Sequence, residues 1–314
     1  MRMDPAVAAV RGAVRLALEQ LPGGATVLAA VSGGADSLAL AAAVAAEAPR
    51  AGQHGAAVTV DHQLQPGSGD RAAAVAEQCA ALGLDPVVVE TVDVGAAGGP
   101  EAAARQARYV ALDAVADRLG ATAIALGHTL DDQAETVLLG LARGSGARSL
   151  AGMPVRRGRL LRPLLGVRRQ TTVEACRVLG LTPWADPHND DPAFTRARVR
   201  ATAMPALVEA LGPGVPEALA RTAAMLRADA DALDAWAESI QDPGDIAVLR
   251  SLPDAVRTRV LRRAAVAAGA PAGALTATHV GGIDGLVVDW HGQGPVSLPG
   301  GLVAHRAYDR LSFR

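Results

Sequence analysis

From residue 25 onward the sequence alternates short apolar runs with longer Ala/Leu-periodic stretches, and this alternation limits the fold more than any other feature. Ala25 to Val31, Ala56 to Val60, Pro86 to Val92 and Ala121 to Leu126 read as buried strands. Ser37 to Ala48, Arg71 to Leu82, Glu101 to Leu119 and Asp131 to Ala142 read as the helices that follow them. A βαβ series of this kind predicts an α/β fold, a doubly wound parallel sheet with helices on both faces. Ligands of such sheets bind outside the carboxyl ends of the strands, so the functional residues are expected just after Val31, Val60 and Leu126.

After Arg143 the pattern loosens into a Gly/Arg/Pro-rich stretch, with a short helix near Thr171 to Leu179 and a polar turn from Asp186 to Pro192. Phe194 to Leu211 and Val215 to Ala237 read as long helices, punctuated by Gly212-Pro213-Gly214. The remainder mixes helices over Pro253 to Ala268 and Ala274 to Val287 with a terminal pair of strands around Gly300-Gly301. The expected division is residues 1–211 and a second, smaller, mostly helical C-terminal domain over 212–314.

Composition excludes several chemistries. All 30 basic residues are arginine, so a Walker A loop, a protein-kinase strand lysine and a pyridoxal Schiff base are ruled out. The two cysteines, Cys79 and Cys176, are far apart and have no neighbouring thiol or clustered histidines, which argues against a disulfide scaffold or zinc site and fits a reducing cytoplasm. Between Glu19 and Glu47 the only charge is Asp36, but Pro22, Gly23-Gly24 and Gly33-Gly34 break that stretch into strand, loop and helix, and no membrane span is expected. The net charge of -2 conceals segregation. Residues 1–142 sum to -8, residues 143–200 to +8 and residues 201–314 to -2. The basic island is either a solvated surface or a set of phosphate contacts for nucleic acid.

Val31-Ser32-Gly33-Gly34-Ala35-Asp36-Ser37 stands where the first strand hands over to the first helix. Glycines there turn backbone N–H groups toward a ligand, the helix adds its positive end, and Ser32 and Ser37 add hydroxyls, so the loop is a pyrophosphate cradle that needs no lysine. Asp36 adds an oxygen suited to Mg²⁺. Asp61-His62 and Gly127-His128 follow later strand ends. Asp131, Asp132 and Glu135 begin a helix, where i to i+3/i+4 spacing shares a face; they suit Mg²⁺ or amine binding, or are helix-start acids favoured by the dipole. Arg105 and Arg108 lie one turn apart and suit an anion clamp or an exposed pair.

Ser32 to Ser37 resembles the SGGxDS signature of the PP-loop ATP pyrophosphatases, whose fold is adenine nucleotide alpha hydrolase-like. Further segments resemble the tRNA(Ile)-lysidine synthetase branch. These are Val60-Asp61-His62-Gln63-Leu64, the Glu101 to Tyr109 helix, Gly127 to Thr136, Arg143-Gly144-Ser145-Gly146, Arg162-Pro163-Leu164 and the stretch from Asp186-Pro187 to Arg200. The resemblance implies a ligase that uses ATP and Mg²⁺ to adenylate the C2 carbonyl oxygen of the wobble cytidine in a tRNA(Ile) with a CAU anticodon. The ε-amine of free L-lysine then displaces AMP to give lysidine, which changes the codon read from AUG to AUA.

On this resemblance Ser32, Gly33, Gly34, Ala35, Asp36, Ser37, Asp61, His62 and Gly127 would bind ATP, with Asp36 and Asp132 on the metal. Asp36, Asp132, His128 and Arg105 would serve catalysis, Asp132 orienting the lysine amine or taking its proton. Asp131, Glu135, Arg108, Arg143, Arg196, Arg198 and Arg200 would meet lysine or tRNA. A tRNA thiolase with the same cradle would need a sulfur-carrying cysteine or an iron-sulfur cluster, and two isolated cysteines argue against it. An amidating synthetase would need a glutaminase domain. A non-catalytic ATP-binding regulator would require neither the acidic helix start nor the basic island. A homodimer is compatible with all of these readings.

Overall fold

The computed structural model describes residues 3–63, 65–93, 100–144, 146–184, 191 and 193–314. Leu64, Ser145, residues 185–190 and Pro192, on which parts of the motifs above and the expected polar turn fall, lie outside the described residues. The chain forms two units, Met1–Ala224 and Met225–Arg314.

The first unit begins with α1 (Pro5–Leu18), β1 (Thr26–Ala30), α2 (Ala35–Glu47), β2 (His54–Asp61), α3 (Ser68–Ala81), β3 (Val87–Thr91) and α4 (Pro100–Arg118). It continues through β4 (Ala123–Leu126), α5 (Leu130–Ala142), α6 (Ala147–Leu150), β5 (Arg156–Arg157), β6 (Leu160–Leu161) and α7 (Arg169–Val178). The sheet order is β3-β2-β1-β4-β6-β5, parallel throughout except for the antiparallel edge strand β5. All four strands and four helices expected between residues 25 and 142 are present, with ends shifted by three residues or fewer.

Side-chain alternation along β1 assigns its two faces. Val27 and Ala29 pack with Leu38, Leu40 and Val44 of α2 and with Val10 and Val14 of α1. Leu28 packs with Leu112, Val115 and Ala116 of α4. The strand is therefore buried on both sides, as a central parallel strand requires. The strand order switches between β1 and β4, the chain leaving β1 toward β2 and β4 toward β6; the two are neighbours paired Ala30 to Leu126, so their following loops lie side by side.

Helix α1 is an element that the alternation does not announce. Asp4 caps it by accepting the Ala6 N–H at 2.8 Å, Pro5 opens it, and Val7, Val10, Val14, Ala17 and Leu18 form its buried face. It also neutralises Glu47, a 1% exposed carboxylate at the end of α2 that accepts from Arg11 Nε at 2.6 Å and Arg15 Nε at 2.8 Å.

The expected single helix over Phe194 to Leu211 is interrupted. It forms α8 (Thr195–Arg198), a π turn over Val199–Ala203, and α9 (Met204–Leu211). Pro205 explains the wide turn, because it has no N–H to donate and its ring excludes the carbonyl four residues earlier. Helix α10 (Val215–Glu238) follows and runs through the boundary between the units.

The second unit contains α11 (Ile246–Ser251), α12 (Asp254–Ala267), α13 (Ala277–Val288) and an antiparallel sheet ordered β7 (Val296–Ser297), β8 (Val303–Ala307), β9 (Arg310–Phe313). The expected terminal pair of strands is thus a trio. Its own core joins Leu249, Val260, Leu261, Ile283, Leu286, Ala304 and Leu311. Arg257 is buried in it and is satisfied by Asp284 at 2.6 Å and Asp254 at 2.7 Å.

Arg15, and then Arg11, hold the Glu47 carboxyl below its ordinary 4.5 although burial opposes them. A depressed native pKa contributes stability that is full above the unfolded value and is lost as pH falls through the native one. Glu47→Gln should therefore lower stability at pH 7 by about 2 kcal/mol, less than for a fully buried pair because Arg15 is half exposed. In paired thermal melts, the gap from the native protein should narrow as pH falls below the ordinary carboxylate value and close only once Glu47 is protonated in the folded state.

Candidate active site

The loop after β1 is shaped by Gly33, whose φ of +87° is left-handed and where a Cβ would stand 2.8 Å from Val75 Cγ2. Gly34 then caps α2 without any side-chain hydrogen bond, so no capping side chain occupies the N–H groups of its first turn. Ser32 is exposed at the loop. Ser37 is turned inward: its hydroxyl accepts the Ser32 N–H at 3.1 Å and donates to the Gly34 carbonyl at 2.9 Å, which staples the loop. Ala35 and Asp36 begin the helix.

The neighbouring loop after β4 has the opposite character. Thr129 caps α5 in a capping box, its N–H and hydroxyl donating to Asp132 Oδ2 at 2.8 and 3.0 Å. One helix start is left open for an anion and the other closes on its own carboxylate. Gly127 lets the two loops touch. A Cβ there would lie 3.0 Å from the Asp36 carbonyl carbon and oxygen and the Ser37 nitrogen.

Across these loops lies a cluster of acids and arginines. Asp36, Asp132 and Glu135 all meet Arg169: Nε lies 3.2 Å from Asp36 Oδ2, Nη2 2.8 Å from Asp132 Oδ1 and Nη1 3.3 Å from Glu135 Oε1. Arg200 adds contacts to Glu135 Oε1 at 2.9 Å and Asp132 Oδ1 at 3.3 Å. Arg196 approaches Glu135 Oε2 at 3.3 Å and donates to Thr136 Oγ1 at 2.8 Å. Asp131 accepts the Arg169 backbone N–H at 2.7 Å and faces Arg168 at 3.4 Å. Thr172 donates its hydroxyl to Asp36 Oδ1.

The environment separates the two central carboxyls. Burial raises Asp36, with Thr172 and Arg169 opposing and Asp132 adding to the rise. Burial also works upward on Asp132, but Arg169, the Thr129 N–H, His128 and Arg196 outweigh it and hold that carboxyl low. His128 is pushed by burial to about 4, with Arg162, Arg108 and Arg196 adding to the fall and Asp132 opposing it, so it is neutral at pH 7. His62 is lowered by burial and then by Arg108. Each imidazole has a buried Nδ1 with no hydrogen-bond partner. Asp61, at the end of β2, accepts the Gln63 N–H at 2.9 Å.

The structure thus brings together Asp36, Asp131, Asp132, Glu135, Arg196 and Arg200 from the sequence-derived set. Arg108 lies close enough to both imidazoles and to Arg196 to act on them electrostatically. Arg105 is not drawn into the cluster; it stacks on the Tyr109 ring at 4.9 Å. Arg143 ends α5 exposed, and Arg198 is exposed, donating to Ala193 O and Thr195 Oγ1. Sequence reading missed Arg168, Arg169 and Thr172. Their signal was two arginines at the start of α7, the end of a helix whose dipole repels cations unless an acid answers them.

Among the described residues no group of three or more His, Cys, Asp or Glu side chains is placed to hold a metal ion. Mg²⁺ is ordinarily held by one or two carboxylates together with phosphate oxygens, and Asp36 and Asp132 share one cation here, so this oxygen pair fits it.

Comparison with known proteins agrees with this layout. Residues 12–207 match the PP-loop domain and residues 245–312 the TilS substrate binding domain. The chain is 60% identical to a tRNA(Ile)-lysidine synthase of Thermobifida fusca, covering 94% of each chain. It is 54% identical to that of Streptomyces coelicolor, covering 100% of this chain and 99% of the relative. The chain belongs to the tRNA(Ile)-lysidine synthase family. A U34-tRNA thiolase from Methanococcus maripaludis, with a [4Fe-4S] cluster, shares the fold at a TM-score of 0.59 and 19% identity, over 70% of this chain and 79% of that one. In this member of the lysidine synthase family both cysteines are buried thiols pushed up to about 11 by burial. No helix among the described residues is long and apolar enough to cross a membrane.

Gly127→Ala should weaken binding of a non-hydrolysable ATP analogue by about tenfold in calorimetry and lower the melting temperature by a few degrees, because the new methyl presses on the Asp36–Ser37 peptide. The His128 ring resonances should keep their neutral-form NMR shifts down to about pH 5.

Proposed function

We propose that this chain forms lysidine on tRNA(Ile): it adenylates the C2 oxygen of the wobble cytidine with ATP and then joins the ε-amine of L-lysine to that carbon, releasing AMP and pyrophosphate. The observation that carries the reading is the pairing of an open α2 N-terminus behind Gly33-Gly34 with an acidic cluster on the adjacent strand end. Full-length identity to lysidine synthases supports the substrate, and the coverage by both domain families supports the whole reaction.

The first-turn N–H groups of α2 and the Ser32 hydroxyl bind the phosphates that leave as pyrophosphate. Asp36 and Asp132 would hold Mg²⁺, whose chemistry when bound is to offset negative charge on the phosphates. Burial and the surrounding arginines keep His128 neutral, so it offers a hydrogen bond rather than a charge. Asp132 and Glu135 are the carboxylates on the site face of α5; they orient the lysine amine, and Asp132 accepts a proton as the amine attacks. Exposed arginines of the basic island, Arg143 and Arg198 among them, bind tRNA phosphates. The division of labour we propose gives residues 1–211 the ATP chemistry and residues 212–314 a share of tRNA binding.

Asp36→Ala should abolish pyrophosphate release in an assay that requires both lysine and tRNA. Arg198→Ala should instead raise the tRNA KM several-fold and reduce the slope of affinity against salt by about one. Unchanged tRNA affinity in Arg198→Ala would remove that residue from the tRNA contact.

A further inference from the structure

Every acid that the proposed reaction uses at the strand ends meets one residue outside the family motifs described above. Asp36 comes from α2, whereas Asp132 and Glu135 come from α5. Three carboxylates gathered in a partly buried site repel one another by kcal/mol amounts and would turn apart without a cation between them. Arg169 supplies that cation from a third helix, with a different guanidinium nitrogen on each acid at 2.8 to 3.3 Å.

The remaining contacts of α7 fix where that guanidinium can stand. The Arg169 backbone N–H donates to Asp131 Oδ2 at 2.7 Å, tying the first turn of α7 to the start of α5. One helical turn on, Thr172 donates to the second oxygen of Asp36. A further turn along, Cys176 Sγ lies 3.3 Å from the Ala35 carbonyl. Arg169, Thr172 and Cys176 are one face of α7, and that face lies against the first turn of α2.

We infer that Arg169 is the positioning residue of the adenylation site, setting across two helices the separation and direction of the Asp36, Asp132 and Glu135 carboxylates. The inference rests on the reading given under Proposed function. The planar fork explains why the residue is arginine: its five N–H donors lie in fixed directions, whereas an ammonium would offer a single point of charge. It also explains why the two helix starts do not drift apart, since the guanidinium spans from Asp36 to Asp132.

The test uses the full-length protein with tRNA(Ile) transcript, lysine and ATP. Arg169→Ala should lower single-turnover pyrophosphate release about 100-fold, as expected when charged contacts to several groups are lost together. Binding of a non-hydrolysable ATP analogue should stay within about threefold, because the cradle does not use Arg169. Added methylguanidinium at non-denaturing concentration should restore release at least tenfold, and Arg169→Lys should remain at least tenfold below native. Release within threefold of native, or faster, would make Arg169 dispensable or a competitor of the incoming cation and would overturn the inference. So would a loss that methylguanidinium leaves unrepaired, which is the behaviour of a residue needed only for folding.

If Arg169→Ala does not fold, Thr172→Val carries the test. It should cost about tenfold with Thr172→Ser restoring the rate, and native rates in the valine variant would overturn the inference. Asp36→Ala separates the two levels. An active Asp36→Ala refutes the reading of the site and the inference with it, whereas an inactive Asp36→Ala beside a native-like Arg169→Ala refutes the inference alone.

Discussion

The structure of the site depends on one electrostatic constraint: acids concentrated at the ends of β1 and β4 must be neutralised where water cannot do it. Glu135 is 2% exposed and Asp132 8%, and neither is tolerable at that depth as an unpaired charge. The compensation comes from Arg169, Arg196 and Arg200, all later in the chain. The -8 of residues 1–142 and the +8 of residues 143–200 are therefore partly two halves of one internal charge pairing. The site is therefore completed only by α7, α8 and the π turn after it, which carry those arginines.

Backbone chemistry supplies the second requirement. β1 and β4 are adjacent and parallel, so the N-termini of α2 and α5 emerge side by side. Two open helix starts would both attract anions. Here Asp132 closes α5 by accepting from Thr129, and Gly34 leaves α2 uncapped, so the dipole of α2 alone faces a ligand. Gly127 makes the arrangement compact by admitting the Asp36 peptide to 3.0 Å of where a Cβ would be.

What was legible in the sequence was local. Strands β1 to β4 and helices α2 to α5 follow from apolar period and length, and the cradle follows from Gly33-Gly34 at a strand end. Illegible features depended on partners distant in sequence. Arg169 is one arginine among the 12 of its segment until Asp36, 133 residues earlier, is known to lie beside it. Strands β5 and β6 are two residues each, too short for any alternation to register. The π turn before Pro205 was legible in principle, since proline inside a helical pattern marks a break, whereas the convergence of Arg196 and Arg200, four residues apart, on Glu135 was not.

The absence of lysine acquires a physical meaning from this geometry. A lysine at position 169 would bring three donors on one nitrogen and could not lie in line with acids on two helices, whereas a guanidinium offers separate edges to each. The same pairing limits what the basic island can do for a nucleic acid. Arg162 is buried, and Arg168, Arg169, Arg196 and Arg200 are committed to acids, while Arg143, Arg156 and Arg157 are among the exposed members. Counterion release counts only arginines that reach a phosphate. Four of the 12 arginines in these 58 residues are held by acids of the site, so the salt dependence of any phosphate contact made by this segment can reflect at most the remaining eight.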